Sequence, residues 1–224
     1  MNLLLLAVAP AMVIILYIYF KDKFEKEPLG LLFKNFALGA TASILITFVL
    51  GAIVANLIPV TDGKSILQMF IKAFVTVALV EEFSKYVIVR YVAQRNKEFN
   101  EPFDGIVYAV MVSMGFATLE NILYTFQYGV ETGILRAFTA VPAHATFAIL
   151  MGYFMGKAKF SKNRTLLNLL GLLLATIFHG AYDFFLFIDF VPGISTGAFV
   201  SLIVGIFLAR KAMKLHQENS KFKV

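Results

Sequence analysis

Seven stretches of mostly apolar residues, separated by short polar joints, account for nearly the whole chain. A helix needs about 20 apolar residues to cross the hydrocarbon core of a bilayer, and these stretches are of that size. Because a bilayer offers no partners for free backbone groups, such stretches fold as helices. The sequence therefore predicts an all-α, polytopic membrane helix bundle of about seven transmembrane helices. The predicted spans are residues 3–20, 36–58, 66–90, 104–127, 134–156, 166–188 and 194–212.

Composition agrees with this assignment. The 224 residues are 59% hydrophobic and only 15% charged, whereas a soluble domain carries about 25% charged residues. No polar segment is long enough to fold separately, so we expect residues 1–224 to form a single integral-membrane domain. Its motif-bearing helices would span 66–188, and a basic cytoplasmic tail at 213–224 would leave His216 solvated.

Lysine and arginine residues follow the first, third, fifth and seventh spans, while the alternate loops contain only Lys64 and Arg136. Basic loops stay in the cytoplasm, so this alternation places the N-terminus outside and the C-terminus in the cytoplasm. The formal net charge of +6 is thereby explained by topology, and no nucleic-acid partner is expected. The lipid bilayer is the expected surroundings.

Four successive spans carry ionisable or amide side chains in their interiors. A charge at the bilayer centre costs at least about 2.5 kcal/mol on insertion scales, so such groups normally face one another and have a function. With the orientation above, they lie from mid-membrane to the outer half. They are Glu81, Glu82 and Lys85 in the third span, Glu120 and Asn121 in the fourth, His144 in the fifth, and His179 and Asp183 in the sixth.

The third span combines two adjacent carboxylates with one lysine. Lys85 lies four residues after Glu81 and three after Glu82, so both pairs can meet on a helix surface. The lysine can neutralise one carboxylate and leave the other free for general acid or base chemistry. A purely structural ion pair is the alternative interpretation.

Each histidine in the spans can likewise be interpreted as functional or as structural. His179 and Asp183 are four residues apart, so the carboxylate can orient the imidazole on a shared helix face. Glu120 has no local cation, and His144 or His179 could be its partner. A packing histidine is the alternative for each. Asp22 and Asp104 lie at predicted span ends and are interpreted as boundary residues.

Four short motifs occur in order, one to a span. They are Glu81-Glu82-Phe-Ser-Lys85 (EExxK), Phe116-Ala-Thr-Leu-Glu120-Asn121 (FxxxEN), His144-Ala-Thr-Phe147 (HAxF) and His179-Gly-Ala-Tyr-Asp183 (HGxxD). Each motif is weak alone, but the ordered set resembles the PrsW family of bacterial intramembrane proteases. The loop Asp22-Lys-Phe-Glu-Lys-Glu-Pro28 is similar to that family's acidic first loop, and the resemblance covers residues of about 20 to 190.

The resemblance implies a peptidase of the bacterial cell membrane, related to the type-II CAAX prenyl endopeptidases. It implies site-1 type cleavage of a single-span, membrane-anchored anti-sigma factor on its extracytoplasmic side, which releases a stress-response sigma factor. Carried over by motif, the residues expected to be catalytic are Glu81, Glu82, Glu120, His144 and His179. Those expected to support them are Lys85, Asn121 and Asp183.

The mechanism is left open by the sequence. Glu81 or Glu82 could activate a water, His144 or His179 could polarise the carbonyl or protonate the leaving amine, and Asn121 could donate to an oxyanion. Glu82, His144 and His179 could hold Zn²⁺. Because relatives also admit a metal-free glutamate mechanism and the HExxH helix of common zinc proteases is absent, the interpretation favours no metal.

Two other function classes compete with a protease. Intramembrane Glu and His chains also form proton relays, so a proton-coupled transporter is possible, although the inverted repeats typical of transporters are not visible. A non-catalytic membrane scaffold is the other alternative. Serine and aspartyl protease chemistry fit poorly. Serine types need a serine beside a histidine at the site, and none of the four motifs supplies that pair, while aspartyl types need a GxGD motif that the chain lacks.

Overall fold

The computed structural model describes residues 2–223, and these contain seven helical segments and no strand. The segments are α1 (Leu3–Lys21), α2 (Leu29–Leu57), α3 (66–93), α4 (Pro102–Tyr128), α5 (Val130–Lys159), α6 (Arg164–Phe187) and α7 (Thr196–Glu218). Helices α2 and α3 include stretches of wider π-helical turns. The predicted all-α polytopic bundle is confirmed.

Five helices, α1, α2, α4, α5 and α6, are long and apolar enough to cross a membrane. The other two carry charged side chains along their length. In α3 these include Glu81, Glu82 and Lys85, and in the last third of α7 they include Arg210 and Lys211. The charges of α3 are tolerated because they pair with one another and with side chains of neighbouring helices, as the next section describes.

Helix α4 is the centre of the bundle, because every residue of 103–118 is buried. Glycines allow its neighbours to approach closely. A Cβ added at Gly152 of α5 would overlap the carbonyl of Gly105 and lie 2.7 Å from Cα of Ile106. On another face, a Cβ at Gly115 would overlap the carbonyl of Phe36 in α2. Small residues of this kind let membrane helices pack backbone against backbone.

Helix α5 is broken at Thr139, which has φ −124° and ψ −76°. Pro142 has no N–H to bond the carbonyl of Phe138, so the helix cannot run through this point. A short helix, Val130–Phe138, precedes the break and Ala140–Lys159 follows it. Gly129, with φ +88°, makes the tight connection from α4. The sequence predicted a single span over residues 134–156, with Pro142 as a point where it could kink.

The interpretation of His216 as a solvated residue was wrong. His216 is 4% exposed, because α7 continues to Glu218 and packs the imidazole against α5, where it bonds the carbonyl of Tyr153 at 2.9 Å. Helix α7 extends past the predicted span and covers a residue that the pattern assigned to solvent. Asp22 lies at the C-terminal end of α1 and Asp104 in the first turn of α4, and both are buried.

Candidate active site

Glu82 and Lys85 of α3 connect this helix to two others. Its Oε1 accepts a hydrogen bond from Lys85 Nζ at 2.7 Å and from His179 Nδ1 at 2.9 Å. Lys85 Nζ also lies 3.2 Å from His144 Nδ1 and 3.6 Å from Glu81 Oε2. Glu82 and Lys85 are almost completely buried. The spacing in α3 therefore produces the local ion pairs that the sequence predicted, and these pairs also reach α5 and α6.

The two imidazoles lie side by side in the centre of the network. Their ring centroids are 5.3 Å apart with planes at 86°. His144 Nε2 lies 2.9 Å from Glu120 Oε2, and His179 Nε2 lies 3.4 Å from Asp183 Oδ2. Phe147 stacks on His179 at 5.0 Å. Each imidazole is thus held by a carboxylate of α4 or α6, and Glu120 finds its partner in His144.

The bonds of His144 indicate its tautomer. Lys85 can only donate, so the Nδ1 of His144 accepts from it and carries a lone pair. The Nε2 then carries the hydrogen and donates to Glu120. A carboxylate that orients an imidazole in this way is typical of catalytic and metal-binding histidines.

Glu81 lies beside both histidines and has a carboxylate oxygen that accepts no hydrogen bond within residues 2–223. Ligand atoms of Glu81, His144 and His179 all lie within 4.8 Å of one another. The Oε2 of Glu81 is buried and has no hydrogen-bond partner among the described residues. Two imidazole nitrogens and one carboxylate oxygen are a donor set that Zn²⁺ takes in catalytic sites. These residue types therefore fit a metal ion, provided that Lys85 gives up its contact with the Nδ1 lone pair of His144.

The sequence had placed Glu82, rather than Glu81, in this potential ligand set. The structure favours Glu81, because the Oε1 of Glu82 already accepts from both Lys85 and His179. Glu81 also lines a cavity between the helices, which is described below, and Glu82 does not. Glu82 is better suited to positioning its two partners.

Arg136 belongs to the site and was missed by the sequence analysis. It donates from Nη2 to Glu120 Oε2 at 2.7 Å and from Nε to Asn121 Oδ1 at 3.0 Å, and its guanidinium covers the ring of Tyr124. The amide of Asn121 donates to the carbonyl of Ala7 in α1, so it does not point into the cavity as an oxyanion donor. The available signal was an acid without a local cation and a lone arginine in the following loop.

A cavity of about 510 Å³ opens between these helices. Its wall includes residues from α3 to α7 that all lie toward one end of the bundle, such as Lys72 at the start of α3 and Phe199 at the start of α7. A cavity of this size accommodates a short stretch of peptide. Its polar wall is formed by Glu81, Glu120, Arg136, His144, His179 and Asp183.

Comparison with known proteins gives consistent matches. A family described as PrsW family intramembrane metalloprotease matches residues 27–210. Protease PrsW of Geobacillus kaustophilus is 40% identical over 83% of this chain and 80% of its own length. Protease PrsW of Oceanobacillus iheyensis is 41% identical over 83% of both chains, and that of Bacillus subtilis is 33% identical over 95% of this chain and 94% of its own. No solved structure matches.

Proposed function

Because the chain belongs to the PrsW family of intramembrane metalloproteases, we propose that the polar network of α3–α6 is its peptidase active site. Family membership makes the chain a multi-pass bacterial membrane peptidase, and it decides against the transporter and scaffold interpretations. The assignment of the site depends chiefly on one observation. Glu81, His144 and His179 bring three potential ligand atoms together in the wall of a buried cavity.

Glu81, His144 and His179 would hold the metal of this family. A bound Zn²⁺ would supply Lewis-acid polarisation of the scissile carbonyl and an acidified water. The protein's own contribution is orientation. Glu82, bonded to Lys85, fixes one side of His179, and Asp183 contacts the other side.

Glu120 is proposed to move the proton. Its Oε2 is taken by His144 and Arg136, while its Oε1 has no hydrogen bond among the described residues and the side chain lines the cavity. A carboxylate in this position can accept a proton from the attacking water and return it to the leaving amine.

The proposed substrate is a single-span membrane protein, such as a membrane-anchored anti-sigma factor, cut on its extracytoplasmic side. The cavity lies toward the end of the bundle away from the basic loops. By the positive-inside rule that end faces outward, with the N-terminus outside and the C-terminus in the cytoplasm. The family resemblance supports the anti-sigma factor and the release of a stress-response sigma factor.

The test uses the purified full chain in liposomes with candidate single-span anti-sigma factors, and cut sites are mapped by mass spectrometry. We expect Glu81→Gln to abolish cleavage and to lower the bound metal measured by elemental analysis. Glu82→Gln should slow cleavage and retain the metal, because it removes a positioning contact. Glu131→Gln, at an exposed acid of α5, is the matched control. Full cleavage and full metal content in Glu81→Gln would contradict the assignment.

A further inference from the structure

A second acidic cluster lies at the opposite end of the bundle from the cavity. It consists of Glu25 and Glu27 in the α1–α2 loop and Asp104 in the first turn of α4, with Asp22 beside them. Carboxylate oxygens of Glu25, Glu27 and Asp104 all lie within 4.8 Å of one another. Glu27 is 2% exposed and Asp104 is fully buried. The sequence analysis had assigned no function to these residues.

No cation of the described residues forms an ion pair with this cluster. Lys26 is nearby in sequence, but its ammonium donates to the backbone carbonyls of Tyr19 and Asp22. The eight ion pairs in the described part of the chain involve none of the cluster's carboxylates. Lys26 lies close enough to attract Asp22, and Lys159 to attract Asp104, but neither reaches ion-pair distance of the cluster.

Only part of each carboxylate is hydrogen-bonded. Tyr108 donates its hydroxyl to Glu27 Oε2, and the backbone N–H groups of Asn100 and Glu101 donate to Asp104 Oδ2. Each of these bonds uses one oxygen of its carboxylate and leaves the second oxygen without a donor. Those second oxygens, Glu27 Oε1 and Asp104 Oδ1, and also Glu25 Oε2, are buried without a partner in residues 2–223.

Burying carboxylate oxygens without a partner is costly, so the cluster needs either protons or a cation. The donors are all oxygen and include no imidazole or thiolate. Carboxylate oxygen sites of this kind suit Mg²⁺, Ca²⁺ and Mn²⁺ rather than Zn²⁺.

We propose that Glu25, Glu27 and Asp104 bind a hard divalent cation of the Mg²⁺, Ca²⁺ and Mn²⁺ class, separate from the metal of the peptidase site. The cation joins the α1–α2 loop to the first turn of α4, the helix that carries Glu120 at its other end. The C-terminal end of the chain contacts the same region, because Ser220 donates to Glu101 and Gln217 to the carbonyl of Lys21. A cation here fixes the meeting point of three parts of the chain.

The test is a titration of the full chain with Tb³⁺, which occupies hard oxygen sites and is excited through a neighbouring tyrosine. The chain has no tryptophan, and Tyr108 contacts the proposed site. Every variant carries Glu81→Gln, so that the peptidase site contributes equally or not at all. We expect saturable luminescence that Ca²⁺ or Mn²⁺ competes away. Glu27→Gln and Asp104→Asn should weaken Tb³⁺ affinity about tenfold or more, since each removes a charged ligand.

Glu98→Gln, at an acid close in sequence but outside the cluster, is the matched control and should bind like its parent. Thermal unfolding supplies a second readout, because a ligand of the native state raises the midpoint. Mg²⁺ or Ca²⁺ should raise it in the control and not in Glu27→Gln or in the milder Glu25→Gln. Equal Tb³⁺ affinity in control and cluster variants, or no saturable binding and no midpoint shift in the control, would overturn the proposal and leave a cluster that holds protons only.

Discussion

Glu120 bonds two partners, His144 and Arg136, and has a different role toward each. His144 needs an oriented carboxylate to fix its tautomer, and Arg136 supplies the positive charge that allows the acid to be buried. Both bonds use the same oxygen, Oε2, so the guanidinium sets where the carboxylate meets the imidazole. Because the side chains of Glu120 and Arg136 are only 18% and 14% exposed, water screens this pair weakly. Arg136 is therefore a positioning residue for Glu120.

Replacing Arg136 with Gln should lower kcat/KM about tenfold to a hundredfold, since a hydrogen bond to a charged group is worth about 1.5–3 kcal/mol. Arg136→Lys should recover part of this, because it keeps the charge and loses the planar fork that also bonds Asn121. Cleavage kinetics of the purified protein provide the measurement. Lys64→Gln, at an exposed cation outside the site, should have no effect. Unchanged kinetics in Arg136→Gln would show that Glu120 is held by other groups.

The contacts among polar side chains were largely predictable at this scale, and their exact partners were not. The high cost of charge in a bilayer required Glu82, Lys85 and His179 to meet, and they do. Neighbouring helical residues point about 100° apart, so Glu81 and Glu82 cannot both face the cavity. The sequence alone does not show which of the two does. Which of them faces the cavity depends on how α3 is rotated against α6, and that is set by packing.

Helices α4 and α5 contact each other through glycines. Gly152 and Gly156 of α5 face Gly105 and Pro102 of α4, so the two backbones touch where side chains would otherwise separate them. His144 lies eight residues before Gly152, which places it about two turns away on the same face. The close approach of the two backbones therefore also sets the distance between His144 and the acid that α4 presents to it.

Gly152→Ala should separate the two helices and destabilise the protein by roughly 1–3 kcal/mol, as expected for an overpacked core. Thermal unfolding should show a lower midpoint, and cleavage should fall because His144 moves away from α4. Gly51→Ala is the matched control, since nothing lies within 4 Å of the added methyl group. It should leave the midpoint unchanged or raise it slightly, because alanine favours a helix. Equal midpoints in the two variants would contradict the packing described for α4 and α5.

The apolar stretches predicted that each helix exists, but they did not predict where each helix begins and ends. Helix α2 begins at Leu29 rather than near residue 36, and α7 continues to Glu218 rather than 212. An apolar stretch marks only the part that crosses the hydrocarbon, and a helix can continue beyond it wherever neighbours cover its polar turns. The break at Thr139 has a local cause in Pro142, but its consequence, the placement of Arg136 over Tyr124, arises from tertiary packing.

The whole molecule has two chemically different ends. The end that holds the cavity has few basic residues in its loops, and the end that holds the acidic cluster is surrounded by them. A peptidase site near one end of the bundle reaches only those peptide bonds that lie at the matching depth of a substrate helix. The orientation of the bundle therefore determines on which side of the membrane a substrate is cut.

The chain contains no cysteine, so single cysteines report topology without background. Lys64 and Lys162 are both exposed, and three helices, α3, α4 and α5, separate them, so the proposed topology puts them on opposite sides of the membrane. We expect a membrane-impermeant maleimide to label Lys64→Cys in intact cells and Lys162→Cys only after permeabilisation. The reverse pattern would place the cavity toward the cytoplasm, and extracytoplasmic cleavage would then be wrong. Labelling of both in intact cells would mean that α3, with its buried carboxylates and lysine, does not cross the bilayer together with α4 and α5.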